Sequence, residues 1–245
     1  IDTEEKRIKA LKWTKIEDVW GIGRKHTKRL QAKQIFNAFQ FTQLPDEWVR
    51  KEMAVVGLRL KHELEGKPTL NLEMPKSKKM IATTRSFEKP MTKLEDMAER
   101  VATFTASGAQ KLRKQNSHCN MIMVFVHTNY FRKDQPQYSR NIVIKTDFPT
   151  NSTIELNHYA QIGLKAIFKE GYHYKKAGVI VMGLTPNNET QLSLFNTSNP
   201  KHQHLMSVID KLNQSYGTNK IKFATQSLGR QWKMRQEKLS PSFTT

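Results

Sequence analysis

Cysteine is almost absent from this chain: Cys119 is the only one in 245 residues. A disulfide framework within the chain is excluded, and so is a zinc site built from cysteines alone. Long apolar runs are absent too. The longest, Met121–Val126, suits a strand and falls far short of the roughly 18 residues that a membrane-spanning helix needs. Hydrophobic residues make up only 37% of the sequence, but they come in blocks, which argues against a chain disordered throughout. No signal peptide is expected, since Ile1-Asp2-Thr3 opens neither a basic nor an apolar segment. With one reduced cysteine and no export signal, the expected compartment is the cytoplasm, with no membrane partner. The chain starts at Ile1 rather than Met, as expected of an internal start.

Acidic residues are scarce beside basic ones, 22 against 41, for a net charge of +19. That excess makes a polyanion the first partner to consider. The charge is patchy. Residues 21–40 carry +5, Lys111–Lys114 adds +3, and residues 211–240 carry +6. At roughly 100–200 residues per domain, the length allows one to three domains.

The pattern along the chain predicts an α+β protein in three modules. Residues 1–66 read as all helix, with a short helix through Val19-Trp20, a second from Lys25 to about Ala32, another from near Pro45, and a last over Ala54–Leu64. Residues 67–77 form a basic, proline-containing linker. Residues 78–184 read β-α-β-β-α-β, with strands at Met80–Phe87, Met121–His127, Asn141–Thr146 and Ala177–Met182. Leu94, Met97, Val101, Phe104, Gly108 and Leu112 recur at helical spacing, as do Leu156, Ala160, Gly163, Leu164 and Ile167. Three Ser/Thr-x-x-Glu sequences, starting at Thr14, Thr92 and Ser152, are expected to be capping boxes. A second linker, 185–200, precedes a small basic module, 201–245. That module is read as a helix presenting Leu205, Val208, Ile209 and Leu212, then a strand-like Lys220–Ala224, then a basic segment with Trp232.

The sharpest feature of the first module is Val19-Trp20-Gly21-Ile22-Gly23-Arg24-Lys25-His26-Thr27-Lys28-Arg29-Leu30. A short helix, a Gly-x-Gly turn and a second helix present free amides at a helix N-terminus, where the aligned peptide dipoles add positive potential. Gly21 and Gly23 let a phosphate approach the backbone, and Arg24, Lys25, Lys28 and Arg29 surround the spot. Such a helix-hairpin-helix holds the phosphodiester backbone without reading sequence. Trp20 and Ile22 are expected to pack inside. In the second linker, Gln191-Leu192-Ser193-Leu194-Phe195 places three large apolar side chains in a polar stretch. Such side chains call for a partner that buries them.

Asp18-Val19-Trp20-Gly21-Ile22-Gly23 resembles the thumb hairpin of Y-family translesion DNA polymerases of the UmuC type. Ile81-Ala82-Thr83-Thr84-Arg85-Ser86-Phe87 is similar to the first strand of that family's little-finger domain. Residues 205–213 and 239–245 resemble the tail of UmuC proteins. The resemblance implies a helical thumb, a four-stranded little finger with two helices, and a UmuC C-terminal module. It implies that one face of the sheet contacts DNA backbone, with Thr84, Arg85, Ser86 and Arg140 as candidates beside Gly21, Ile22, Gly23, Arg24, Lys25 and Lys28. Lys145 is a further candidate. It also implies that Gln191, Leu192, Leu194 and Phe195 bind a sliding clamp, and that primer-template or damaged DNA, a UmuD-type subunit and a RecA filament are partners in SOS translesion synthesis. The family's palm carboxylates, which hold two Mg²⁺ ions, lie in motifs that do not occur here. The chain is therefore expected to bind no cofactor itself and to be inactive alone. A non-catalytic DNA- and clamp-binding adaptor is the alternative; a nuclease subunit lacks the carboxylate cluster it would need.

Overall fold

Helix α1 (Glu4–Trp13) begins at Thr3, whose side chain accepts from the Lys6 amide, with Glu4 and Glu5 in the first turn, where acids complement the helix dipole. This is a computed structural model, and it describes residues 1–74, 76–189, 198–217, 219–226, 239 and 241. It separates into two units, Ile1–Pro75 and Lys76–Thr245. The first continues with a 3-10 turn at Ile16–Asp18, α2 (Arg24–Gln31), α3 (Ala38–Thr42) and α4 (Asp46–Leu64). Its core gathers Leu11, Ile16, Val19, Ile22, Leu30, Ala38, Phe41, Val49 and Met53.

The two helices expected over 45–64 run on as α4, bent at Ala54, where φ is +56°. The bend brings the Met53 side chain against Gly57, whose added Cβ would lie 2.3 Å from Met53 Cβ. Lys61 is buried on α4 and held between Asp46 (2.5 Å) and Glu65 (2.7 Å). Asp46 also meets His62 at 3.0 Å. A lysine ammonium tolerates such burial only when paired.

The second unit is an antiparallel sheet of β1 (Ile81–Met91), β2 (Ser117–Thr128), β3 (Ser139–Thr150) and β4 (Tyr174–Pro186), in the order β1-β4-β2-β3. Every strand outruns its apolar segment, because ladder hydrogen bonds extend through polar flanks such as Ser117-His118 and Thr185-Pro186. Helix α5 (Leu94–Lys114) packs on β1 and β4, and α6 (Thr153–Ile167) on β2 and β3. Both lie on one face of the sheet. Met97, Val101, Phe104, Leu112, Leu156, Ala160 and Leu164 meet Ile81, Ile122, Val124, Val179 and Val181 there. The α+β class and the four-stranded sheet with two helices are as expected from the sequence.

Cys119 is fully buried in this core, and burial pushes its thiol up to about 12. The thiolate is the reactive form. Ellman's reagent at pH 8 should therefore leave the native chain unlabelled and titrate one thiol after denaturation. Native labelling at the rate of a free thiol would contradict this packing.

None of the three expected capping boxes forms. Thr14 Oγ1 donates 2.9 Å back to Ala10 O and so closes α1. Helix α5 starts at Lys93 without a side-chain cap, and Ser152 makes no cap bond to α6. The box that does form joins Asn37 and Gln40 at α3. The Ser/Thr-x-x-Glu pattern does not fix where its members bond: Thr14 turns back to the preceding helix, and Glu155 is taken by a distant segment.

Glu155 shows where one of them went. It accepts from the Thr150 hydroxyl, from Ser198 Oγ (2.8 Å) and from the Asn199 amide (3.3 Å), and lies 3.0 Å from His202 Nδ1. These contacts fasten the start of α7 (Pro200–Tyr216). Eight residues beyond His202, Asp210 receives both Arg113 Nε (2.6 Å) and Nη2 (2.8 Å). His202, Met206 and Asp210, four apart, form the seated stripe, with Met206 buried. The expected apolar face is thereby corrected: Leu205 and Val208 are exposed. Lys220–Ala224 is also no strand. It is a set of turns and bends, and Asn213 bonds both the amide and the carbonyl of Ile221. Trp232 lies outside the described residues.

Candidate nucleic-acid interface

The glycine turn of the first unit is built from three conditions. Gly21 sits at φ +98°, which a side chain would strain. Ile22 is buried in the core and bonds its amide to Val19 O at 3.0 Å, which pins the turn to the body of the unit. Gly23 caps α2 with an ordinary φ of −85°, and a Cβ there would meet nothing within 4 Å. The first glycine is thus needed for conformation, and the second leaves open space in front of the helix start. The expected first helix of the hairpin is a single 3-10 turn.

The charge at α2 is unusual for a helix start. Helices α1, α4, α5 and α6 all carry acids in the first turn. Helix α2 carries none; α3 and α7 carry none either, but those two are capped by Asn37 and Asn199, whereas α2 has no side-chain cap and places Arg24 and Lys25 there. The amides of Arg24, Lys25 and His26 precede the first intrahelical bond, from Thr27 to Gly23 O. Cations at a helix N-terminus oppose the dipole, so an external anion would relieve both. Arg24, Lys25 and Lys28 are exposed and form no ion pair among the described residues. Arg29 is different: it pairs with Glu52 Oε2 at 2.9 Å and also bonds the Glu52 carbonyl. Trp20 corrects the expectation of packing, for it is 95% exposed beside the turn while Ile22 is inside.

The second surface is the sheet face that α5 and α6 leave uncovered. Cross-strand register lines up four rows on it: Lys145, Met121 and Met182; Val143, Met123, Ile180 and Ala82; Asn141, Phe125, Gly178 and Thr84; Ser139, His127, Lys176 and Ser86. Phe125 lies over Gly178, where a Cβ would come within 2.5 Å of its ring and of Thr84 Cγ2. Burial, and secondarily the charge of Lys176, hold the His127 imidazole below its usual range, so it adds no charge at neutral pH.

Strand alternation divides the sequence candidates. Thr84, Ser86 and Lys145 stand on the open face. Arg85 and Arg140 share the parity of Ile81 and Ile142, toward the helices, and emerge exposed on the two edge strands. Arg113 is occupied by Asp210, Asn151 O and Thr153 Oγ1. Gln191, Leu192, Leu194 and Phe195 lie outside the described residues. Among the described residues no group of three or more His, Cys, Asp or Glu is arranged to hold a metal ion, and no helix is long and apolar enough to cross a membrane.

This α+β chain carries, at residues 78–194, the C-terminal domain of the impB/mucB/samB family, and residues 203–245 match a domain of unknown function, DUF4113. Protein UmuC of Salmonella typhimurium is 34% identical over 244 residues, covering 98% of this chain and 57% of that protein. Protein ImpB of Salmonella typhimurium is 34% identical over 249 residues, 99% of this chain and 58% of ImpB. Over nearly its whole length the chain is thus similar to UmuC-like proteins, and the domain it matches is the C-terminal one of their family. The chain spans a little over half the length of these curated relatives. Among solved structures, an insertion ternary complex of Dbh DNA polymerase aligns with a TM-score of 0.38 at 15% identity, over 76% of this chain and 52% of that one.

Proposed function

We propose that this chain is the DNA-holding portion of a translesion polymerase acting in SOS repair, gripping primer-template or damaged DNA through backbone phosphates. The observation that carries the reading is the start of α2: an uncapped helix N-terminus, open at Gly23, with Arg24, Lys25 and Lys28 exposed around it and in no ion pair among the described residues. In this reading the exposed Arg85 and Arg140, with Thr84 and Ser86, add backbone contacts from the second unit. The chain supplies grip and no chemistry; Mg²⁺ belongs to a palm domain. The Gln191–Phe195 peptide docks on the sliding clamp and so raises the local concentration of a weak, sequence-independent binder. A UmuD-type subunit and a RecA filament are further partners in the reading, which places the protein with cytoplasmic DNA.

The test is a salt titration of binding to labelled primer-template DNA. Affinity should fall linearly on a log–log plot, with a slope of about −0.9 for each phosphate neutralised, and with little dependence on sequence. Salt-insensitive binding would sink the reading. In the same preparation, Gln191, Leu192, Leu194 and Phe195 changed together to Ala should abolish capture by the clamp with DNA affinity unchanged. Clamp capture that survives removes the docking peptide from the proposal.

A further inference from the structure

The loop between β2 and β3 is heavily cross-braced, yet it turns two aromatic rings away from the fold. Gln137 spans it: its Nε2 lies within hydrogen-bond reach of the carbonyls of Asn129 (3.2 Å), Arg132 (2.7 Å) and Gln135 (3.1 Å), while its Oε1 accepts from Thr128 Oγ1 at 3.0 Å. Asn129 Oδ1 accepts from the Phe131 amide at 3.1 Å, and the Arg132 amide donates to Asn129 O. Arg132 is clamped to Asp134 through Nε and Nη2. Out of this scaffold project Tyr130, 80% exposed, and Phe131, 87% exposed, edge to face with ring centroids 5.7 Å apart. Exposed aromatics are costly in water, and a braced loop that displays two of them has already met the ordering cost of binding something flat.

Charge around the loop selects the occupant. The register brings the start of β4, the far half of β1 and the start of β3 to this end of the sheet. Apart from Arg132, which Asp134 holds, those segments and the loop carry Lys89, Lys133, Arg140, Lys175 and Lys176 against Glu88. Rings standing in a cationic rim match an unpaired nucleic-acid strand, whose bases stack on aromatic faces while its phosphates seek cations. A purely apolar protein patch would gain nothing from that rim.

We propose that Tyr130 and Phe131 form a stacking platform for unpaired bases of single-stranded DNA. The inference rests on the DNA-holding reading above and deepens it: the second unit then distinguishes single-stranded from paired DNA. The experiment compares the wild-type chain with a Tyr130→Ala/Phe131→Ala double variant, using fluorescence anisotropy with a labelled thymidine oligonucleotide and with a duplex of equal length. Stacking contributes about a factor of ten in affinity per base. The double variant should therefore bind the single strand at least tenfold more weakly, hold duplex within twofold, and melt at the wild-type temperature. Phe131→Trp should keep single-strand affinity, with its indole emission quenched on binding. Unchanged single-strand affinity in the double variant would overturn the platform, and so would an equal loss on duplex. A wild-type chain that binds neither DNA would sink the DNA-holding reading, and the platform with it.

Discussion

Changing Arg24, Lys25 and Lys28 together to Ala should weaken duplex DNA binding about a hundredfold at low salt, taking about 1 kcal/mol for each solvent-exposed ion pair with a phosphate. The log–log salt slope should drop by about 2 to 3, since each lost phosphate contact removes close to one unit. The three side chains are exposed, so the thermal transition should stay within a degree or two of wild type. Arg29→Ala is the informative partner: that guanidinium already serves Glu52, so its removal should leave the salt slope nearly intact. Gly23→Val should reproduce part of the triple effect without touching charge, by filling the open space before α2. A triple variant with an unaltered slope would mean that the start of α2 does not meet phosphate.

Gly163→Leu should damage the second unit severely. Helix α6 comes so close to the sheet that a Cβ at Gly163 would already sit 3.2 Å from Ile142 Cγ2, 3.2 Å from Ile144 Cδ1 and 3.3 Å from Val124 Cγ2. A leucine needs space those methyl groups fill, and overpacking of this kind costs about 3 kcal/mol. For a unit of this size that is roughly 10 °C in melting temperature. Gly108→Ala is the control. It lies on the neighbouring helix, and its new Cβ would reach only Thr83 Oγ1 at 3.8 Å, so better helix propensity should leave stability unchanged or slightly raised. A Gly163→Leu variant melting with wild type would show that α6 does not pack so closely.

The two predictions divide along what was legible in the residues. The apolar spacing of α5 and α6 named the buried set, Gly163 included, because a helix in contact with a sheet must repeat its apolar face every 3.6 residues. The glycine turn and its cations were equally visible. The fate of each polar side chain was not. Thr14, Ser152 and Glu155 fit a local capping pattern, yet Thr14 closes the preceding helix and Glu155 fastens α7. The true capping box, at Asn37 and Gln40, carried a signal in Asn-x-x-Gln that a search for Ser/Thr and Glu passes over. Leu205 and Val208 looked like a buried stripe because apolarity was the only guide, whereas α7 is held mainly by a carboxylate, an imidazole and a guanidinium around one buried methionine.

By itself, the order of residues determined the main helices and strands, the faces that α5 and α6 bury and the places where positive charge collects. All of these follow from periodicity and composition within a few turns of chain. Only the tertiary structure decided which of those charges remain available. Arg29 and Arg113 are bound by Glu52 and Asp210, which lie 23 and 97 residues away, while Arg24, Lys25 and Lys28 are left facing water. A cation is silenced by whichever carboxylate folding brings within hydrogen-bond reach, and no local pattern encodes that distance.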